Sequence, residues 1–236
     1  MKTISLGMVA LTLLGASAVT SYAQASLDLN LDPLSGSQLV FSGHSFNFSP
    51  ASPGTGIGPG GSIPDQWFIS SEGGSANTGS ALNHDGAFSG GPFNYGTINI
   101  NGSSQTATVS NPGMLYIADG GGYLQGTVNF IDVGTVGQVG GLINLQVMIN
   151  LMNVIYAGAN PDLQFLTANQ PGTVDLSFQF ASGGMNLTQL SSGPTYQTSY
   201  SGSISVVAVP EPSSLAMSAL GGLGALGFAF RKRYSF

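Results

Sequence analysis

Val174-Asp175-Leu176-Ser177-Phe178-Gln179-Phe180 alternates apolar and polar side chains without a break, which is the period of a strand with one buried face. Leu27-Asp28-Leu29-Asn30-Leu31-Asp32 repeats the pattern far upstream. Further strand candidates cover residues 38–48, 66–70, 95–100, 106–110, 114–118, 123–132, 142–156 and 200–209, with Gly, Pro, Asn and Ser in the gaps. In the longest of these, Ile143, Leu145, Val147, Ile149 and Leu151 again sit two apart, although a helix of that length also fits. The expectation is an all-β domain over residues 26–208, an antiparallel β-sandwich or jelly-roll-like fold. About 180 residues suffice to bury a core.

That core must form without covalent help, because the 236-residue chain has no Cys. Disulfides, thiolate metal sites and Cys nucleophiles are therefore excluded. The charge distribution is equally restrictive. The only basic residues are Lys2, Arg231, Lys232 and Arg233, so everything between Lys2 and Arg231 is acidic or neutral. Phosphate binding depends on Lys and Arg, which rules out nucleic acid as a partner of the middle domain.

Both ends read as targeting segments. Residues 1–25 place Lys2 before an apolar run over residues 4–18 and finish on Ala23-Gln24-Ala25. This is the pattern of a cleavable secretory signal, with Ala23 and Ala25 as the small residues before the cut. An uncleaved anchor fits less well, since a spanning helix needs roughly 20 apolar residues. At the other end, residues 213–230 carry no charge and run directly into Arg231-Lys232-Arg233. As a helix this stretch would be about 27 Å long, close to bilayer thickness. Four glycines (Gly221, Gly222, Gly224, Gly227) would weaken it in water, whereas lipid forces the backbone to pair internally. The trailing cations stay cytoplasmic and put residues 26–209 on the far side. Just before the helix, the prolines of Val209-Pro210-Glu211-Pro212 favour an extended peptide, the form a processing enzyme binds.

Taken together, residues 209–236 resemble the PEP-CTERM sorting signal of Gram-negative bacteria. The resemblance covers residues 209–233, with three further residues, Tyr234-Ser235-Phe236, after the basic cluster. It implies that Pro210, Glu211 and Pro212 are processing residues and that Arg231, Lys232 and Arg233 set topology. The implied partners are the general secretion machinery, the inner membrane during sorting, and a membrane-embedded exosortase that cuts at or near Pro-Glu-Pro. Proteins with this signal commonly accompany exopolysaccharide and biofilm formation, which implies a final place on the cell surface or in the extracellular matrix.

Catalytic patterns are sparse in the middle domain. His44 and His84 are its only histidines, and the side chains of adjacent His84-Asp85 would diverge. No G-x-S-x-G elbow occurs. Gly56, Gly58 and Gly61 match G-x-G-x-x-G, but Pro59 and Pro64 argue against the helix a dinucleotide site requires. Asp28 to Asp32 mimics half of a calcium loop, yet Pro33 stands where Gly is needed. The expectation is a non-enzymatic exported surface or matrix protein with no catalytic residues, metal or cofactor. The alternative is a carbohydrate-binding module that stacks neutral sugars on Trp67, Tyr95, Tyr116 and Tyr123. Against it, Trp67 is flanked by Phe68 and Ile69 and fits a core equally well.

Overall fold

The computed structural model describes residues 24–50, 56–136, 144–180 and 185–208. The strands are β1 (Ser26–Pro33), β2 (Gln38–Ser42), β3 (Ser45–Ser49), β4 (Trp67–Gly73), β5 (Asp85–Ser89), β6 (Phe93–Asn94), β7 (Asn99–Asn101), β8 (Ser104–Thr108), β9 (Gly113–Asp119), β10 (Gly122–Val136), β11 (Asn144–Ile155), β12 (Gly172–Gln179), β13 (Tyr196–Thr198) and β14 (Tyr200–Val207). Two short helices accompany them, α1 (Pro161–Ala168) and α2 (Leu187–Ser192).

The domain is all-β, as the alternation implies, but its main sheet closes on itself. The strand order β11-β12-β14-β1-β4-β5-β9-β10 returns to the start because β10 also pairs with β11. The expected open sandwich is thereby replaced by an eight-stranded antiparallel barrel. The cause is the length of β10, 15 residues. One of its edges pairs with β9 through residues 122–128 and with β8 through residues 132–134. Its other edge is free to take the full run of β11 from residue 125 onward.

Apolar residues at every second position fill the barrel. Leu27, Leu29 and Leu31 on β1, Val174, Leu176 and Phe178 on β12, and Ile204 and Val206 on β14 are all buried in one continuous cluster. Each end of the barrel is plugged. A small sheet, in the order β13-β2-β3-β6, covers the end reached by Pro33 and the start of β14. It inserts Phe41 against Phe178 and Phe180, Phe46 against Phe130, and Phe48 against Phe88 and Tyr200. At the opposite end α1 drops Leu163 and Leu166 into the same core. Trp67 lies across its register partner Gly86, where an added Cβ would stand 2.1 Å from the indole. Only glycine lets the ring lie flat there.

Several elements differ from the sequence reading. Residues 38–48 form a hairpin, β2 and β3, turning at Gly43-His44 rather than one strand. Of residues 95–100, Tyr95 makes an isolated bridge to Val109 and only Asn99 and Ile100 enter β7. The glycines at 56, 58 and 61 belong to a loop closed by the Ile57–Ile63 bridge around a 3-10 turn (Pro59–Gly61). A Cβ on Gly56 would lie 2.0 Å from the Gly61 carbonyl oxygen, so the tight closure explains that glycine without any phosphate.

Candidate functional site

The polar side chains that the fold gathers lie at the end of the barrel plugged by α1. Here β4 connects to β5 through residues 74–84, β9 turns into β10, and β11 leads through α1 to β12. Asn160 caps α1, its side chain accepting from the amides of Asp162 and Leu163, with Pro161 as first helical residue. Asp162, fully buried, reaches back to the 74–84 loop. Its Oδ1 accepts from the Thr78 amide at 2.9 Å, and its Oδ2 accepts from the Ser80 amide and the Ser80 hydroxyl, both at 2.8 Å. Next to it the His84 Nε2 lies 3.2 Å from Asp119 Oδ1, Tyr156 donates to Asp119 Oδ2, and the Asn160 amide donates to the Tyr156 hydroxyl at 2.9 Å. His84 thus pairs across the rim with Asp119, not with its neighbour Asp85.

This cluster is a clamp between loops more than a reaction centre. The Ser80 hydroxyl donates to a carboxylate, and the other His84 nitrogen faces the Leu82 carbonyl at 3.3 Å. A serine nucleophile would need an imidazole lone pair turned toward it. Among the described residues, no group of three or more His, Asp or Glu is arranged to hold a metal ion.

Electrostatics of the rim run in opposite directions within a few residues. Hydrogen bonds from Tyr156 and then His84 hold the Asp119 carboxyl below the usual carboxylate range. Burial alone would raise Asp162, but the donors on Ser80 and Thr78 outweigh it and hold it low. Burial, and then the Asp162 charge, push Glu72 up. A depressed acid contributes stability above its unfolded pKa and loses it as pH falls through the folded value. A raised acid has the reverse sign, so Glu72 opposes folding once pH rises past its unfolded value near 4. Glu72→Gln is therefore expected to raise the melting temperature at pH 7 and to give no gain below about pH 4. Thermal melts of both proteins across pH 3–8 check this.

On the outer face of the barrel, two hollows of about 450 and 360 Å³ share Asp32, Ser177 and Ser201. They form one trough over β1, β14 and β12. Small side chains on β14, Ser201 and Ser203, lie between longer ones on the flanks, Asn30 and Asp32 on one side and Asp175 on the other. Hydroxyl, amide and carboxylate groups dominate the lining, with Pro33 and Phe178 at one end, and there is no cation.

The rings expected to stack on sugar are placed elsewhere. Trp67 is 0 % exposed, Tyr95 3 % and Tyr116 7 %. Trp67 packs on Phe88, Tyr95 donates its hydroxyl to the Gly43 carbonyl, and Tyr116 lies with half-buried Tyr123 and Ile57 under the 56–63 loop. Burial leaves the first three no face to offer a ligand, which corrects the stacking expectation at those positions. His44 is exposed beside Tyr95, and Asp28, Asn30 and Asp32 lie in β1 with no calcium-loop turn.

The chain enters and leaves the barrel at this same clamped rim, since β1 and β14 are antiparallel neighbours. The Ala208 amide donates to the Ala25 carbonyl at 2.7 Å, and the Gln24 side chain donates to the Ala208 carbonyl. Ala25 is thus held in the β1–β14 seam, so a cut after it has to precede closure of that seam. Ala23, Pro210, Glu211, Pro212, the apolar stretch 213–230 and Arg231, Lys232 and Arg233 lie outside the described residues. For the chain beyond β14 the sequence itself is decisive. Residues 208–233 match the PEP-CTERM protein-sorting motif. A PEP-CTERM motif implies an exported chain that an exosortase sorts, with a membrane-held stage before the surface. No curated protein and no solved structure matches the chain. Among the described residues no helix is long and apolar enough to cross a membrane.

Proposed function

We propose that this protein is a non-enzymatic component of the bacterial cell surface or extracellular matrix. In this reading an N-terminal signal exports it, a helix over residues 213–230 holds it transiently, and an exosortase processes it at Pro210-Glu211-Pro212. The observation that carries the reading is the PEP-CTERM match over residues 208–233, beginning where the barrel's last strand ends. Cutting there separates the sorting segment from a domain whose strands are all retained. The masses of the two ends of the mature protein, isolated from its host, test both cleavages. Ends at Ser26 and within residues 209–213 support the reading, and an intact precursor at the surface overturns it.

The outer trough gives the carbohydrate reading a better place than the buried rings. Its hydroxyl, amide and carboxylate lining, in a domain without Lys or Arg, suits a neutral polysaccharide such as one the protein would be retained with. Ser203→Trp fills the trough from the exposed side. Neutral-glycan binding by the wild type is expected to fall at least tenfold in that variant, and equal binding by both proteins would remove the trough from consideration.

A further inference from the structure

The rim that carries both chain ends also carries apolar side chains that the fold leaves uncovered. Leu82, in the β4–β5 connection, is 42 % exposed, Ile155 at the end of β11 is 61 % exposed, and Val207 at the end of β14 is 45 % exposed. Most of the charge at the same end is engaged by neighbouring side chains and amides. Asp119 is held by His84 and Tyr156, and Asp162 by Ser80 and Thr78. The flank over β1 and β12 is different, with Asp32 and Asp175 on its outer side, while the flank over β10 and β11 exposes Ile131, Met148 and Met152. Half-buried Asp28, paired with Gly73 and Ser205, stands close to the rim. We propose that, before processing, this rim rests on the phospholipid surface of the membrane, so that the barrel stands on end with the β13-β2-β3-β6 cap pointing away. The proposal rests on the reading of residues 213–230 as a membrane span.

Chain length excludes one orientation. From Ala208 to Ser213 there are five residue steps, at most about 18 Å when fully extended. An eight-residue strand such as β1 is already about 26 Å long. The tether is shorter than the barrel, so the capped end cannot reach the bilayer. A barrel lying on its β1–β12 side would bring Asp32 and Asp175 toward the lipid, which is costly against an anionic surface. The flank that exposes Ile131, Met148 and Met152 is set apart from the exit of β14 by β12. The end-on arrangement instead presents Leu82, Ile155 and Val207 to the interface and leaves the trough facing outward along the flank.

The absence of Cys makes the test clean, because any introduced thiol is the single labelling site. Full-length Leu82→Cys, Ile155→Cys and, on the cap, Ser42→Cys are each labelled with a fluorophore and inserted into vesicles of phosphatidylcholine and anionic phosphatidylglycerol carrying a headgroup-attached quencher. Labels at 82 and 155 are expected to lose most of their emission, and the label at 42 to keep it. Equal quenching at all three positions, or none, in protein that floats with the vesicles would overturn the rim proposal alone. Failure of the full chain to float at all would overturn the membrane span and the rim proposal with it.

Discussion

Removal of Arg231, Lys232 and Arg233 is expected to stop maturation almost completely, leaving a precursor that keeps its apolar tail. If residues 213–230 span the membrane as proposed, loss of the trailing cations leaves nothing to fix their end on the cytoplasmic side, so orientation and depth are lost. The Pro-Glu-Pro peptide would then no longer be presented at a set height to the enzyme in the membrane. Pro210→Ala with Pro212→Ala attacks the same step from the other side, since it releases the residues before each proline from the extended region. Immunoblots of membrane, surface and medium fractions, with the mass of the C-terminal fragment, distinguish the outcomes. Mature-length protein in normal yield from both variants would refute processing through this motif. The barrel should be indifferent to either change, because β14 ends before the altered residues.

Within the rim clamp, the largest single loss is expected at Asp162. Asp162→Ala strips acceptors from the Thr78 amide, the Ser80 amide and the Ser80 hydroxyl at a buried position. Thr78 is exposed and Ser80 half-buried, so water reaches part of what is lost, and the Ser80 hydroxyl keeps Asn160 Oδ1 at 2.7 Å as an acceptor. Hydrogen bonds to a charged group contribute about 1.5–3 kcal/mol each before such compensation. Rehydration of the two amides brings the total to about 2 kcal/mol, still a sizeable part of the stability of an ordinary domain. For a domain of this size that is a fall of about 6 °C in melting temperature. Asp162→Asn keeps the Oδ1 acceptor but turns an amide toward the Ser80 donors, and should fall between wild type and Ala. Urea unfolding of the three proteins measures the order, and a loss under 1 kcal/mol for Asp162→Ala would show that the clamp is not stabilising.

The strands are legible in the sequence where side chains alternate on both sides of a buried layer. Leu27, Leu29 and Leu31, and Val174, Leu176 and Phe178, announce their inward faces directly. Closure is not legible, because it depends on β10 having partners along both edges, which no local period reports. Helix α1 leaves a readable sign in Asn160-Pro161-Asp162, a cap, a first-turn proline and an acid at the helix start. The sign is faint because Leu163 and Leu166 alone make too short a period. The expected strand at 95–100 fails after Tyr95, whose hydroxyl is engaged by Gly43 and Ser191 and holds the chain against the cap. Trp67 belongs to the core, as its neighbours Phe68 and Ile69 allow. The rim clamp joins residues separated by 35 to 84 positions, such as His84 with Asp119 and Thr78 with Asp162, so only the folded barrel brings it together.

The place of β14 between β1 and β12 also sets a clock. A polypeptide threaded N-terminus first delivers β14 after every other strand, so until its eight residues emerge the sheet keeps two raw edges and cannot shut. In the proposed export route the hydrophobic tail is then next in line at the translocation pore. Completion of folding and arrival at the sorting enzyme thus become nearly simultaneous, and a truncation that deletes the final strand would leave a sticky open sheet rather than a smaller barrel.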